Sequence, residues 1–347
     1  MRRLLRRVLP VLPVLLFAVI IVSFAGCQKG TETVTADETA AQPMSDRATN
    51  DEAIITIPLT AETAKAKENM QTLDVKNSLS EQGFSASLDM LKSREGQEFP
   101  PTKTTLTQGH SVIEGNDLYT LENDQAESVI FYLHGGAYAY GISQKQVAFC
   151  DDMARRMNAK VYLPLYPLAP QATCRDAYPF LDAAYAEALK EDKPVYLMGD
   201  SAGGGLALAF AEHLRDKGDR LPKKMILLSP WVDVTMSDPA IATYEKKDMM
   251  LSCYGLIELG KLWAGVLDPK DPLVSPLYGD VKSLPSTMIF TGTDEVMVPD
   301  NTTLYHKMRE AGVECTLIFG EGLWHVFVQD EFPEALTARE MIVDSCR

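Results

Sequence analysis

Residues 196–210 read YLMGDSAGGGLALAF. An apolar run stops at Gly199-Asp200-Ser201-Ala202-Gly203, two more glycines follow, and an Ala/Leu-rich segment begins. One small hydroxyl therefore stands among glycines where a strand gives way to helix formers. A serine hydroxyl is a poor nucleophile unless it is exposed, aimed and deprotonated by a partner. The G-x-S-x-G spacing answers the first two needs. The chain turns so sharply from strand to helix that the serine projects alone, and the flanking glycines remove side chains that would collide with neighbouring backbone. The N–H of Ala202, at the start of the helix, then points where an oxyanion would form. Glycine and serine are common enough for the pattern to arise by accident. The bland reading is a small-residue helix start packed on a sheet, and only the strand-to-helix context favours the chemical one.

Working outward, a rhythm surrounds this turn. Apolar runs at 128–136, 159–168, 193–201, 223–230, 286–294 and 314–322 alternate with helix-like stretches at 143–158, 175–192, 202–218, 301–312 and 332–346. Short continuous apolar runs between helices predict a parallel sheet covered on both faces. Function in such sheets gathers at the carboxyl tips of the strands. Residues 102–122 alternate weakly, with Gly109, Gly115 and Asn116 as turn signals, and predict an antiparallel hairpin at a sheet edge. Residues 51–100 read as a helical segment without strand alternation. With the interruption at 233–284, they are expected to lie over the carboxyl edge as a cap on the main domain, 101–347.

The other parts of a serine-centred site fall at further strand tips. YLHGGAYAYG, 132–141, ends an apolar run in two glycines whose N–H groups can turn towards one point, so Gly135 and Gly136 are candidate oxyanion donors. Of the five histidines, His213 and His306 lie in helical stretches and His110 in the early hairpin. His134 is placed to brace the glycine loop. His325, after the run at 314–322, is the candidate general base. Asp294, the first acidic residue at the tip of MIFTGTD, is the candidate acid, with Glu295 and Asp300 close enough to substitute. The order Ser201, Asp294, His325 suits this architecture. Tyr138, Trp231 and Trp324 are candidates for the pocket wall, each equally suited to ordinary core.

Composition bounds the rest. The 347-residue chain is 46% hydrophobic, ample for a large core. It opens Met-Arg-Arg-Leu-Leu-Arg-Arg and runs apolar from Val8 to Ala25, a basic then apolar export pattern. Residues 28–50 carry almost no large apolar side chains and are expected to be a disordered tether, 27–50 with the cysteine included. Loss of Arg2, Arg3, Arg6 and Arg7 with a signal at 1–26 would take the net charge from −15 to −19. Such acidity disfavours nucleic acid as a partner. Beyond Cys27 stand Cys150, Cys174, Cys253, Cys315 and Cys346, an odd set with no CxxC pair, so neither a zinc site nor a complete disulfide framework is expected.

Two resemblances extend this reading. Phe24-Ala25-Gly26-Cys27 resembles the lipobox of bacterial lipoprotein signals, which implies lipidation at Cys27 and an exported protein anchored to the cell membrane. Over residues 100–345, the motifs HGGAY, YPLAP, GDSAGG, SPW, DPLVSPLYGD, GTDE and WHVF resemble the hormone-sensitive-lipase-like esterases. That resemblance implies an α/β-hydrolase fold, a mostly parallel central sheet with helices on both faces and a small helical cap. It implies Ser201, Asp294 and His325 as triad, Gly135, Gly136 and Ala202 as oxyanion donors, and no metal or organic cofactor. The expected activity is hydrolysis of short-chain acyl or acetyl esters, of small molecules or carbohydrates. An amidase or lactonase with the same triad, or a non-catalytic surface binding protein, are the alternatives. Here the family's D-P-L after the acid reads Asp294-Glu295-Val296, and its YRLAPE reads YPLAPQ.

Overall fold

β4 (Ser128–Leu133), β6 (Val195–Asp200) and β7 (Lys224–Leu228) are buried almost along their whole length. Their alternate residues serve two cores. Val129, Phe131, Leu133, Leu197 and Leu227 face one side, and Ile130, Tyr132, Met198, Ile226 and Leu228 the other. Period-2 geometry sends neighbours to opposite faces, and covering both faces turns alternation into a continuous apolar run. This computed structural model describes residues 53–70 and 76–347. The expected signal at 1–26, Cys27 and the tether at 27–50 lie outside the described residues.

Among the described residues the sheet has nine strands in the order β1-β9-β8-β7-β6-β4-β5-β3-β2. β5 (Ala159–Pro164), β8 (Ser286–Gly292) and β9 (Cys315–Gly320) join the three central strands in a parallel array. β2 (Thr107–Ile113) and β3 (Asn116–Glu122) form the expected antiparallel hairpin. Glu114 and Gly115 close it at φ 48° and 76°, the two-residue turn whose twist suits flanking strands. α3 (Gln144–Arg156) and α9 (Pro333–Cys346) cover one face, while α4 (Cys174–Leu189), α5 (Ala202–Lys217) and α8 (Val298–Glu310) cover the other.

One element departs from expectation. β1 (Ile54–Ile57) adds to the edge of the sheet, parallel to β9, within a segment read as wholly helical. IITI is too short to show a period, and the partner that stabilises it lies about 260 residues away in the chain. α1 (Ala61–Met70) and α2 (Phe84–Lys92) follow it, and this segment is tied to loops that leave the carboxyl ends of the strands. Lys67 reaches Asp294 and the Gly322 carbonyl, and Arg94 the Ala139 carbonyl. α6 (Ile241–Glu245) and α7 (Cys253–Ala264), from the interruption at 233–284, meet them there. Lys76 Nζ donates to the carbonyls of Glu245 and Asp248 at 2.5 and 3.1 Å, and Phe84 packs edge-on against Tyr254.

Candidate active site

β6 ends at Asp200, α5 begins at Ala202, and Ser201 between them has φ 53° and ψ −121°. A non-glycine residue rarely occupies that region, and holding it there costs about 1–3 kcal/mol. The surroundings enforce it. The Ser201 N–H donates to the Leu228 carbonyl at 2.8 Å, and the Ser201 carbonyl accepts from Gly205 and Trp231. The glycines allow the close approach. A Cβ on Gly199 would sit 2.3 Å from the Gly203 carbonyl oxygen, and one on Gly203 2.0 Å from that of Leu133.

Ser201 Oγ lies 2.8 Å from His325 Nε2. The opposite ring nitrogen, Nδ1, bonds Glu295 Oε2. Both His325 and Glu295 are buried. This corrects the expected acid. Asp294 turns the other way and pairs with Lys67. Both residues lie in the turn that follows β8, where the Asp294 N–H donates to the Leu323 carbonyl at 2.9 Å and so fixes which side each faces. Glu295 Oε1 accepts from the Gly292 N–H at 2.8 Å and from the Thr291 hydroxyl. Asp300, the other alternative, sits buried in α8, where Asp233 and Asp238 act on it.

The glycine loop after β4 also differs in part. The Gly135 N–H is already used, donating to Asp200 Oδ1 at 2.9 Å, so Gly135 is removed from the donor set. Among the described residues, no acceptor meets the N–H of Gly136, Ala137 or Ala202. Gly136 takes φ 120° and Ala137 φ 52°, so the backbone swings just past Gly135. His134 braces this loop, stacking on Tyr166 at 4.5 Å and donating from Nδ1 to the Gly135 carbonyl. Tyr138 stacks between Trp231 and Trp263 as core, and Trp324 is buried with its Nε1–H on Asp330.

A family model described as an alpha/beta hydrolase fold matches residues 130–329, more than half of the chain. The chain belongs to the α/β-hydrolase fold family. An esterase of Acinetobacter venetianus is 31% identical over 225 residues, 61% of this chain and 72% of the relative. An acetyl-hydrolase of Streptomyces hygroscopicus is 30% identical over 230 residues, 65% of this chain and 76% of the relative. Among solved structures, EstE5 soaked with p-nitrophenyl butyrate superposes with a TM-score of 0.72 at 26% identity. That match covers 83% of this chain and 98% of the other. An esterase from the bacterial hormone-sensitive lipase family gives 0.71 at 25% identity, with the same coverage.

The electrostatics of this α/β-hydrolase suit a general base. Burial disfavours the charged imidazolium of His325, but Glu295, Asp248 and Asp200 together outweigh it, so its pKa is raised. Burial pushes His134 down to about 4, keeping that ring neutral. Three further groups position the site. Asp200 gathers the Tyr132 hydroxyl, the Gly135 N–H and the Gln146 amide, tying the glycine loop to the serine turn. Ser229, at φ 47° on the tip of β7, accepts from the Val326 N–H at 2.9 Å and so holds the residue after His325. Asp248 accepts from Met250, Leu251 and Val296, the last being the residue after Glu295. The SPW motif marked Ser229, and GDSAGG marked Asp200. Asp248 carried no motif signal.

Proposed function

We propose that this esterase-type α/β-hydrolase is a serine carboxylester hydrolase working through an acyl-enzyme. The observation that carries the reading is the continuous relay from Ser201 Oγ to His325 Nε2, 2.8 Å, and from His325 Nδ1 to Glu295. Ser201 attacks the ester carbonyl carbon while His325 Nε2 takes its proton. Glu295 holds the tautomer and offsets the charge of the imidazolium. The N–H groups of Gly136, Ala137 and Ala202 stabilise the tetrahedral oxyanion, where removing one donor typically costs about 100- to 1000-fold. The alcohol leaves with the proton from His325, and water enters as the second nucleophile by the same route.

Short acyl chains, acetyl included, are the proposed substrates. The names of the Streptomyces acetyl-hydrolase and the Acinetobacter esterase support that class. The basic-then-apolar start and Cys27 support export and lipid anchoring. Metabolic labelling with a fatty-acid analogue should vanish in Cys27→Ala, and labelling that persists would refute the anchor. For the chemistry, nitrophenyl esters of increasing chain length should be cleaved by wild type, fastest for acetyl and butyryl, with Ser201→Ala slower by roughly 10⁴-fold or more. Equal rates for both proteins would end the esterase reading.

A further inference from the structure

Asp294, freed from the role of acid, has a partner of its own. Lys67 Nζ bridges Asp294 Oδ2 and the Gly322 carbonyl, the latter at 2.5 Å, and only 13% of its side chain is exposed. Asp294 precedes Glu295 directly, and Gly322 lies three residues before His325. One cation, from a helix outside the sheet, therefore joins the loops bearing the acid and the base. Its helix is fixed in turn. The Thr60 N–H and Thr63 hydroxyl donate to the two oxygens of Glu334 in α9 at 2.5 and 2.6 Å, and Thr63 is fully buried. An exposed ion pair would contribute little. This one is mostly covered and shared with a backbone carbonyl.

Charge gives the contact a second consequence. Three carboxylates already act on His325: Glu295 from the loop after β8, Asp248 from the segment after α6, and Asp200 from β6. Asp294 is a fourth acidic side chain on the same loop, with Tyr244 of α6 within its field. Without its lysine, Asp294 would add to the anionic surroundings and hold the imidazolium more firmly, leaving less free base at neutral pH.

We propose that Lys67 is a positioning residue for the relay, fixing the loops that carry Glu295 and His325 and offsetting the charge of Asp294 beside them. The inference rests on the esterase reading for its kinetic readout. Its spectroscopic readout does not. The experiment compares wild type, Lys67→Met, Asp294→Asn and the double variant by two measurements. The first is the pH profile of kcat/KM on nitrophenyl acetate. The second is NMR titration of the ring of His325, assigned with His325→Gln. Lys67→Met should move the acidic limb and the ring titration up by about 0.5–1 pH unit, and Asp294→Asn should move both down. The double variant should return close to wild type. KM should change less than about twofold while kcat at neutral pH falls about tenfold in Lys67→Met. Coincident titrations in all four proteins would overturn the proposal, as would both single variants shifting the same way. Should Lys67→Met fail to fold, the downward shift in Asp294→Asn still decides. A wild type that cleaves no ester and resists fluorophosphonate labelling would sink the esterase reading alone, since the ring titrations are read without substrate.

Discussion

Glu295 and Asp294 stand side by side in the chain, yet only one can serve the imidazole. The acid holds the neutral tautomer with Nδ1 protonated, so an amide in its place leaves packing intact and presents the wrong tautomer. Glu295→Gln should therefore lower kcat by about 10³–10⁴-fold with KM little changed. In Asp294→Asn, kcat at its optimum should stay within about tenfold of wild type. Steady-state kinetics on nitrophenyl acetate checks both, and the reverse ranking would restore Asp294 as the acid. Ser229→Ala removes the acceptor of the Val326 N–H. Leaving a buried donor unmet costs about 1–3 kcal/mol, measurable as a lower urea midpoint, with kcat falling as the base loses its seat. The serine turn was legible because strained backbone demands glycine neighbours, and His325 because a lone histidine follows a strand tip. Which of two adjacent carboxylates faces inward was not, because a hydrogen bond between Asp294 N–H and the Leu323 carbonyl settles it, and that contact joins loops far apart in the chain.

At the level of elements, the glycine loop, β6 and α3 are held by one buried carboxylate. Asp200 receives three kinds of donor, and the Tyr132 hydroxyl that serves it accepts in turn from the Gln329 amide. Tyr132→Phe keeps the ring in the core but strips Asp200 of a donor and orphans Gln329. A loss of about 1–3 kcal/mol follows, readable by denaturant titration, with a drop in kcat as the loop loosens. Gly203→Ala is a harsher test. Its methyl would meet the Leu133 carbonyl oxygen at 2.0 Å, so α5 must shift from β4, and soluble yield and melting temperature should both fall. Six of the seven parallel strands were readable from their apolar runs, since burial on both faces imposes them. Gly135 departs from its expected role for a local reason. Two adjacent glycines look equivalent until Asp200 takes the N–H of one of them. β1 stayed hidden because four residues carry no period and all its stabilising bonds are long-range.

For the molecule as a whole, two buried acids make stability fall as pH rises towards 8, while His134, held neutral by burial, opposes them only below about pH 6.5. Burial pushes Glu212 to about 8, against Lys307 and Arg215. Burial, then Asp233 and Asp238, push Asp300 to about 8. Ordinary values are 4.5 and 3.8. The folded protein thus keeps protons that the unfolded chain has released. Their contribution is complete below about pH 4 and is lost as pH rises towards 8. Calorimetry should show the melting temperature falling between pH 5 and pH 8, and Glu212→Gln with Asp300→Asn should flatten that slope. A flat wild-type profile would contradict it. His325, raised above its ordinary 6.5, works in the same direction and sets the acidic limb of activity above that value. Finally, Arg339 of α9 is buried and donates to the Val328 and Asp330 carbonyls just beyond His325, with Asp152 of α3 as a further partner. Removing α9 would thus leave every reacting group in the chain yet strip the segment after His325 of the cation that holds it.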